Sequence, residues 1–413
     1  MDFSLPFELK MLRDNARRFT EEELIPRERE VLDNEMGLGA SSEPFLAEEG
    51  VHYPADPAGV LSADSHRRLL ERARAADLWG LDLPEEFGGK GAGGLAKIMV
   101  VEEMSRSLVP FTLPPDSPNL HWMLAVCTEE QRERYLQPYA RGELTVCLAV
   151  TEPNAGSDAA GIQTRAVRDG DGWILNGRKT FISSADWADV IIVLAKTDPR
   201  LGARGGVTAF LVDRGTPGLH IERRIATITS MRPCEISFES MRLSGGQVLG
   251  AVGWAFPELQ NRFSIRRLEI AARCLGTAER LVDLLVEQAH NRVTFGEPLA
   301  NRQAIQWWIA DATAAIHATR LVVYHAACKF DQGERDLRYE ASIAKIMATE
   351  MVSDIADKTL QAHGGMGLTK DLPIEHFYRM VRVWRILEGP TEIHRFVVAR
   401  NRLKGKKPRI EIG

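Results

Sequence analysis

Two clusters of residues in this 413-residue chain have the types and spacing to do chemistry. The first runs Val150-Thr151-Glu152-Pro153-Asn154-Ala155-Gly156-Ser157-Asp158 and continues, past Gly161, into Lys179-Thr180-Phe181-Ile182-Ser183-Ser184. It reads as a turn rich in hydroxyls followed by a hairpin that returns an aromatic ring and a serine. Such hydroxyls hydrogen-bond the edge of a heteroaromatic ring, and an aromatic packs beside it; the same composition also suits a well-capped loop. The second cluster centres on Glu388, which ends the apolar run Val381, Val383, Trp384, Ile386, Leu387 and precedes Gly389-Pro390. Gly389 suits the cap of a helix that starts at Pro390 and carries Glu392 in its first turn. Glu388 therefore reads either as an acid drawn to a helix N-terminus or as a base facing a pocket.

Other signals fail on their own terms. Gly89-Lys90-Gly91-Ala92-Gly93-Gly94 matches the dinucleotide-binding glycine pattern letter for letter. That pattern works mechanically only between a buried strand and a helix, and Asp82-Leu83-Pro84-Glu85-Glu86-Phe87 does not read as a central strand. The ten histidines include no pair one helical turn apart, so no metal is expected. Ser157 lacks the flanking glycines of a nucleophile elbow.

The elements that must position these clusters fall into three stretches, an α+β organisation. Helical spacing at Leu69, Leu70, Ala73 and at Val100, Val101, Met104, Leu108 marks an N-terminal helical region over 1–145, interrupted by Pro110, Pro114, Pro115 and Pro118. A span from Ser41 to Leu61 reads as an irregular excursion. From about 146 to 258 short β-prone runs (Val190 to Leu194, Ala209 to Val212, Phe238 to Leu243) have no helical pattern between them, so a largely antiparallel sheet is expected. Asp169-Gly170-Asp171-Gly172 and Asn176-Gly177 are both turn signals flanking Trp173-Ile174-Leu175. Over 259–413 the helical period returns in long stripes such as Ile270, Ala271, Cys274, Ala278, Leu281, which fit a helical bundle.

Composition sets the boundaries. A hydrophobic share of 44% and a charged share of 26% describe an ordinary folded protein, and a net charge of -5 gives no reason to invoke nucleic acid. The basic tail at Lys404, Lys406, Lys407 and Arg409 reads as a solvated C-terminus. Five scattered cysteines point to a reducing compartment. With neither a targeting pattern at the N-terminus nor an apolar run of membrane-spanning length, a cytoplasmic location is expected.

Beyond these readings, the chain resembles the acyl-CoA dehydrogenases along essentially its whole length. Cys147 to Asp158 is similar to that family's signature, and Leu83-Pro84-Glu85-Glu86-Phe87-Gly88-Gly89 to its N-terminal landmark. Arg292-Val293-Thr294-Phe295-Gly296 with Gln303, and Gln361-Ala362-His363-Gly364-Gly365-Met366-Gly367, are similar to two further family segments. The resemblance implies a C-terminal four-helix bundle, an FAD cofactor, an acyl-CoA substrate, an electron-transfer flavoprotein as acceptor and a homotetramer built as a dimer of dimers. It implies that Val150 and Thr151 meet the flavin pyrimidine edge, Ser183 its N5 side, and Phe181 the isoalloxazine. Ser157 and Arg267 fall at positions associated with CoA. Arg292, Thr294, Phe295, Gln303, Gln361, Gly364 and Gly365 fall where the FAD pyrophosphate and adenosine are held across a subunit boundary. An arginine forks onto phosphate oxygens, and glycines admit close backbone approach.

In the same way Glu388 takes the place of the family's α-proton base. The backbone N–H of Glu388 and a ribityl hydroxyl are the implied donors to the thioester oxygen, next to Gly389, with the β-hydrogen passing to flavin N5 and a trans-2-enoyl thioester as product. Once a bound acyl chain expels water, desolvation is expected to raise the pKa of Glu388 toward neutrality. Some relatives carry their base on an earlier helix, at the position of Arg266, which cannot serve; Glu269 is expected to point elsewhere. Pro390 stands for the family's common threonine, Phe181 for its usual tryptophan, and Leu148 and Leu387 for aromatics found in some members. These departures leave room for a specialised acyl group or a carrier-protein thioester. Two alternatives stand beside the dehydrogenase: a flavin oxidase or monooxygenase on the same fold, and a non-catalytic acyl-thioester-binding protein.

Overall fold

The computed structural model describes residues 5–37 and 60–406. The excursion expected across 41–61 lies almost wholly outside the described residues, as do Lys407 and Arg409 of the basic tail.

Helices come first, then a sheet, then helices, as the periodicities require. The N-terminal part contains α1 (Phe7–Phe19), α2 (Glu28–Gly37), α3 (Ala63–Ala75), α4 (Gly93–Met104) and α5 (Ser117–Val126), followed by short helical turns over 129–141. The proline-rich stretch 105–116 is the connection between α4 and α5, and Pro118 sits in the first turn of α5, where its missing N–H costs nothing. The glycine run before α4 is a turn. Glu85–Phe87 is a single 3-10 turn, and a side chain at Gly89 would meet the Leu83 carbonyl at 2.0 Å. The N-terminus of α4, where a phosphate would bind, is occupied by the Asp331 carboxylate, which accepts from the N–H of Leu95 at 3.0 Å and from that of Gly94.

The middle of the chain forms one eight-stranded sheet: β1 (Val146–Ala149), β2 (Arg165–Asp169), β3 (Gly172–Ile182), β4 (Val190–Lys196), β5 (Val207–Asp213), β6 (Leu219–Arg224), β7 (Cys234–Leu243) and β8 (Val248–Leu249). The order is β6-β7-β3-β2-β4-β5-β8 with β1 beside β4; β1 and β2 meet β4 in parallel, and the remaining pairings are antiparallel. β4 reads as an unbroken apolar run because both its faces are covered. Val190, Ile192 and Leu194 pack under α5, while Ile191, Val193 and Ala195 join the core on the sheet's other face. Asn176-Gly177, expected to be a turn, is instead a bulge inside the continuous β3. Gly177 has φ 153, a side chain there would strike Thr164 at 2.5 Å, and the Asn176 carboxamide accepts from the Ser240 N–H at 2.7 Å. The hairpin turn is Asp169 to Gly172.

The C-terminal part is built from α6 (Ala255–Asn291), α7 (Gln303–Asp331), α8 (Arg338–His363), α9 (Ile374–Trp384) and α10 (Thr391–Leu403). At 37 residues α6 is about 55 Å long and runs from the sheet through the helical core. It meets α4 so closely at Gly276 that a Cβ there would lie 1.9 Å from the Glu102 carbonyl oxygen, and Thr277 Oγ1 donates to the Ser105 carbonyl at 2.9 Å. This contact fixes the start of α6, and every arginine on it, relative to the connection 105–116. No helix among the described residues is long and apolar enough to cross a membrane.

Candidate active site

A cleft of about 2430 Å³ opens between the sheet, the first turns of α6, the connection 105–116 and the segment joining α9 to α10. The sheet side is built by a buried ion pair. Lys179, fully buried on β3, donates from Nζ to the Val150 carbonyl at 2.9 Å and to Glu152 Oε1 at 2.8 Å. Glu152 also accepts from the N–H groups of Gln163 and Thr164, the latter at 2.9 Å. Desolvation opposes both charges. The pair nevertheless holds Glu152 below its ordinary range, while burial draws Lys179 down to about 8. The effect is to close the loop 150–164 like a clasp and aim it into the cleft, where Thr151 and Ser157 line the wall. β3 ends beside it with Phe181 at φ 57 and Ser184 at φ 69, conformations side chains rarely adopt. The twist leaves the Phe181 ring 59% exposed, although it is a large apolar group. Ser183 and Trp187 line the same wall, and the buried indole N–H of Trp187 has no acceptor among the described residues.

The helical side presents Glu388. Its residue also has a left-handed backbone, φ 55, followed by Gly389 at φ 91, and Pro390 caps α10, which begins at Thr391 rather than at the proline. Three carbonyls of this strained turn are taken up from behind. Arg267 Nε donates to the Glu388 carbonyl at 3.0 Å, and Lys345 Nζ donates to those of Gly389, at 2.6 Å, and Leu387. The Glu388 N–H finds no acceptor among the described residues, so a ligand can take it. The carboxylate is 20% exposed, and Arg262 Nη1 donates to Oε1 at 3.0 Å while Arg262 Nε is tied to the Asn119 carboxamide at 3.1 Å. Desolvation pushes the Glu388 carboxyl up, but Arg262, Arg266 and Arg267 together outweigh it and hold the group below the usual range. In the open cleft the arginines thus prevail over desolvation, and the rise expected once an acyl chain expels water starts from this lowered position. Three arginines of one helix (Arg262, Arg266, Arg267) keep this carboxylate ionised.

Arg266 is held by Asp116 and by Glu269 Oε2, the latter at 2.6 Å, and Glu269 is buried away from the cleft lining, so neither of them offers a base. Sequence reasoning missed Arg262, Asn119 and Lys345. For Arg262 a signal existed, because it lies one helical turn before Arg266 on the same face. For Asn119 and Lys345 nothing local joins them to Glu388.

Comparison with known proteins places this geometry in context. Family models for the acyl-CoA dehydrogenase N-terminal, middle and C-terminal domains match residues 7–143, 147–241 and 253–403. The chain belongs to the acyl-CoA dehydrogenase family. Over 409 residues it is 44% identical to (R)-benzylsuccinyl-CoA dehydrogenase of Thauera aromatica, covering 98% of this chain and 97% of that protein. It is 33% identical to the caffeyl-CoA reductase-Etf complex subunit CarC of Acetobacterium woodii, covering 96% of this chain and 98% of the relative. The solved glutaryl-coenzyme A dehydrogenase–glutaryl-CoA complex superposes with a TM-score of 0.85 at 27% identity over 98% of each chain.

Of the family positions singled out above, Val150, Thr151, Ser157, Phe181, Ser183, Arg267, Glu388 and Gly389 converge on the cleft. The residues fit the family's flavin: hydroxyls and an exposed ring stand on the sheet side, and an ionised carboxylate comes from the helical side. Arg292, Thr294, Phe295, Gln303, Gln361, Gly364 and Gly365 do not line the cleft. They lie on the outer surface at the far end of α6 and at the ends of α7 and α8, with Phe295 97% exposed.

Proposed function

We propose that this protein is an FAD-dependent acyl-CoA dehydrogenase that converts an acyl-CoA to its trans-2-enoyl thioester, with Glu388 as the α-proton base. The reading is carried by one arrangement: a cleft-facing carboxylate kept ionised by Arg262 on a turn whose N–H is free for a ligand. The thioester oxygen accepts from the Glu388 N–H, which withdraws charge from the α-carbon as the proton leaves. Because Arg267 and Lys345 hold the neighbouring carbonyls, the turn cannot rotate that N–H away. The Glu388 carboxylate takes the α-proton at its free oxygen. A bound acyl chain removes the remaining water and moves the carboxyl pKa upward from its arginine-depressed starting point, which strengthens the base where it is needed. Bound FAD supplies the acceptor for the β-hydrogen and its electron pair. Val150, Thr151, Phe181 and Ser183 would hold its ring; Ser157 and Arg267 would meet the CoA moiety, with Gly389 beside the bound substrate.

On this reading the surface group Arg292, Thr294, Phe295, Gln303, Gln361, Gly364 and Gly365 completes the FAD site of a neighbouring subunit in a homotetramer. The similarity to a reductase–Etf complex subunit supports an electron-transfer flavoprotein as redox partner. Anaerobic titration of the purified yellow protein with a panel of acyl-CoAs tests the function. Bleaching of the flavin absorbance with formation of an enoyl thioester is expected; a flavin that no thioester reduces would overturn the proposal.

A further inference from the structure

Four arginines of α6 line the cleft, and three of them are engaged. Arg262 pairs with Glu388, Arg266 with Asp116 and Glu269, and Arg267 with the Glu388 carbonyl. Arg273 is different. Two turns beyond Arg266 on the same face, about 10 Å further along the helix, it is half-buried in the cleft wall. Its one hydrogen bond is a long one, from Nη2 to Thr112 Oγ1 at 3.4 Å, and it has no carboxylate partner among the described residues. The nearest acids, Asp116 and Glu269, are both spent on Arg266. Burial and the like charge of Arg266 pull Arg273 below the usual arginine range, the signature of a cation short of an anion. The surroundings make this costly. Leu108, Phe111, Ile270, Phe377 and Trp384 belong to the buried helical core and also line the cleft, so the cavity that Arg273 faces has apolar walls.

We propose that Arg273, assisted by Thr112, anchors a carboxylate carried by the acyl group, so that the substrate is the CoA mono-thioester of a dicarboxylic acid. A guanidinium presents a planar fork of N–H donors that matches a carboxylate in two parallel hydrogen bonds, and four of the five donors of Arg273 are unspent. The thioester lies at Glu388, the second carboxylate at Arg273, and the carbon chain runs along α6 past Ile270. The apolar wall accommodates a hydrocarbon substituent on that chain.

This inference rests on the dehydrogenase reading and is tested separately from it. The holoenzyme is titrated with succinyl-, glutaryl-, adipyl- and suberyl-CoA and with butyryl-, valeryl-, hexanoyl- and octanoyl-CoA as neutral partners of equal carbon count. The best acidic thioester is expected to have a KM about ten- to a hundredfold below its neutral partner, in line with one charge-assisted pair. In Arg273→Met that preference disappears through KM, with kcat and the neutral thioesters little changed. Arg273→Lys, which keeps the charge without the fork, recovers part of it. Equal use of both series by the wild type, or an Arg273→Met variant impaired alike on both, overturns the proposal. Should no thioester reduce the flavin, the function reading fails, and calorimetric binding of the two series still decides the role of Arg273.

Discussion

Arg262 is the residue on which the electrostatics of the cleft turn, and Arg262→Gln is the perturbation that measures it. The guanidinium sits 3.0 Å from Glu388 Oε1. Two unit charges whose centres are about 4 Å apart interact by about 4 kcal/mol at the effective dielectric typical of partly exposed sites. Part of that is offset by the arginine's own desolvation, and Arg266 and Arg267 remain nearby, so a rise of about one to two pKa units is expected for Glu388. The sign follows from the direction of the present shift. The arginines depress the carboxyl pKa, so removing one raises it, and the base becomes protonated at higher pH. The pH dependence of kcat/KM reports ionisations of the free enzyme, which is the state described here. Its acid limb should move to higher pH by about one to two units, with flavin content unchanged. An acid limb within about 0.3 unit of wild type, or one displaced to lower pH, would show that Arg262 does not hold the base ionised.

Two further perturbations test the scaffold. Lys179→Met leaves Glu152 as a buried carboxylate without its cation, a loss of about 3 kcal/mol or more, so a lowered melting temperature and weakened flavin retention are expected; an unchanged melt would mean the clasp contributes little. Gly276→Ala drives a methyl into the Glu102 carbonyl and should cost about 2–3 kcal/mol, visible as a lower denaturation midpoint, whereas a neutral result would show that α4 and α6 separate freely.

The parts of this protein legible in its sequence are those governed by local pattern. Doubly covered strands such as β4 announce themselves as unbroken apolar runs, and the stripe beginning at Ile270 announces α6. The glycine run at 89–94 was separable from a nucleotide loop because its preceding segment could not be a strand. What failed was set by partners distant in the chain. Asn176-Gly177 has the letters of a hairpin turn, yet Thr164 and Ser240 decide that it is a bulge. Glu388 was visible as a carboxylate on a turn, but the direction of its pKa depends on arginines 121 to 126 residues away. The surface group from Arg292 to Gly365 matches family segments in order, while within one chain none of it lines the cleft.

Exchange of the base for its neutral isostere tests the central claim most directly. Glu388→Gln preserves size and the left-handed turn but removes the charge. In an anaerobic stopped-flow titration the variant should still retain FAD and perturb its spectrum on binding the thioester, while flavin reduction slows by about a thousandfold or more. Reduction at close to the wild-type rate would place the proton-abstracting group elsewhere and contradict the account.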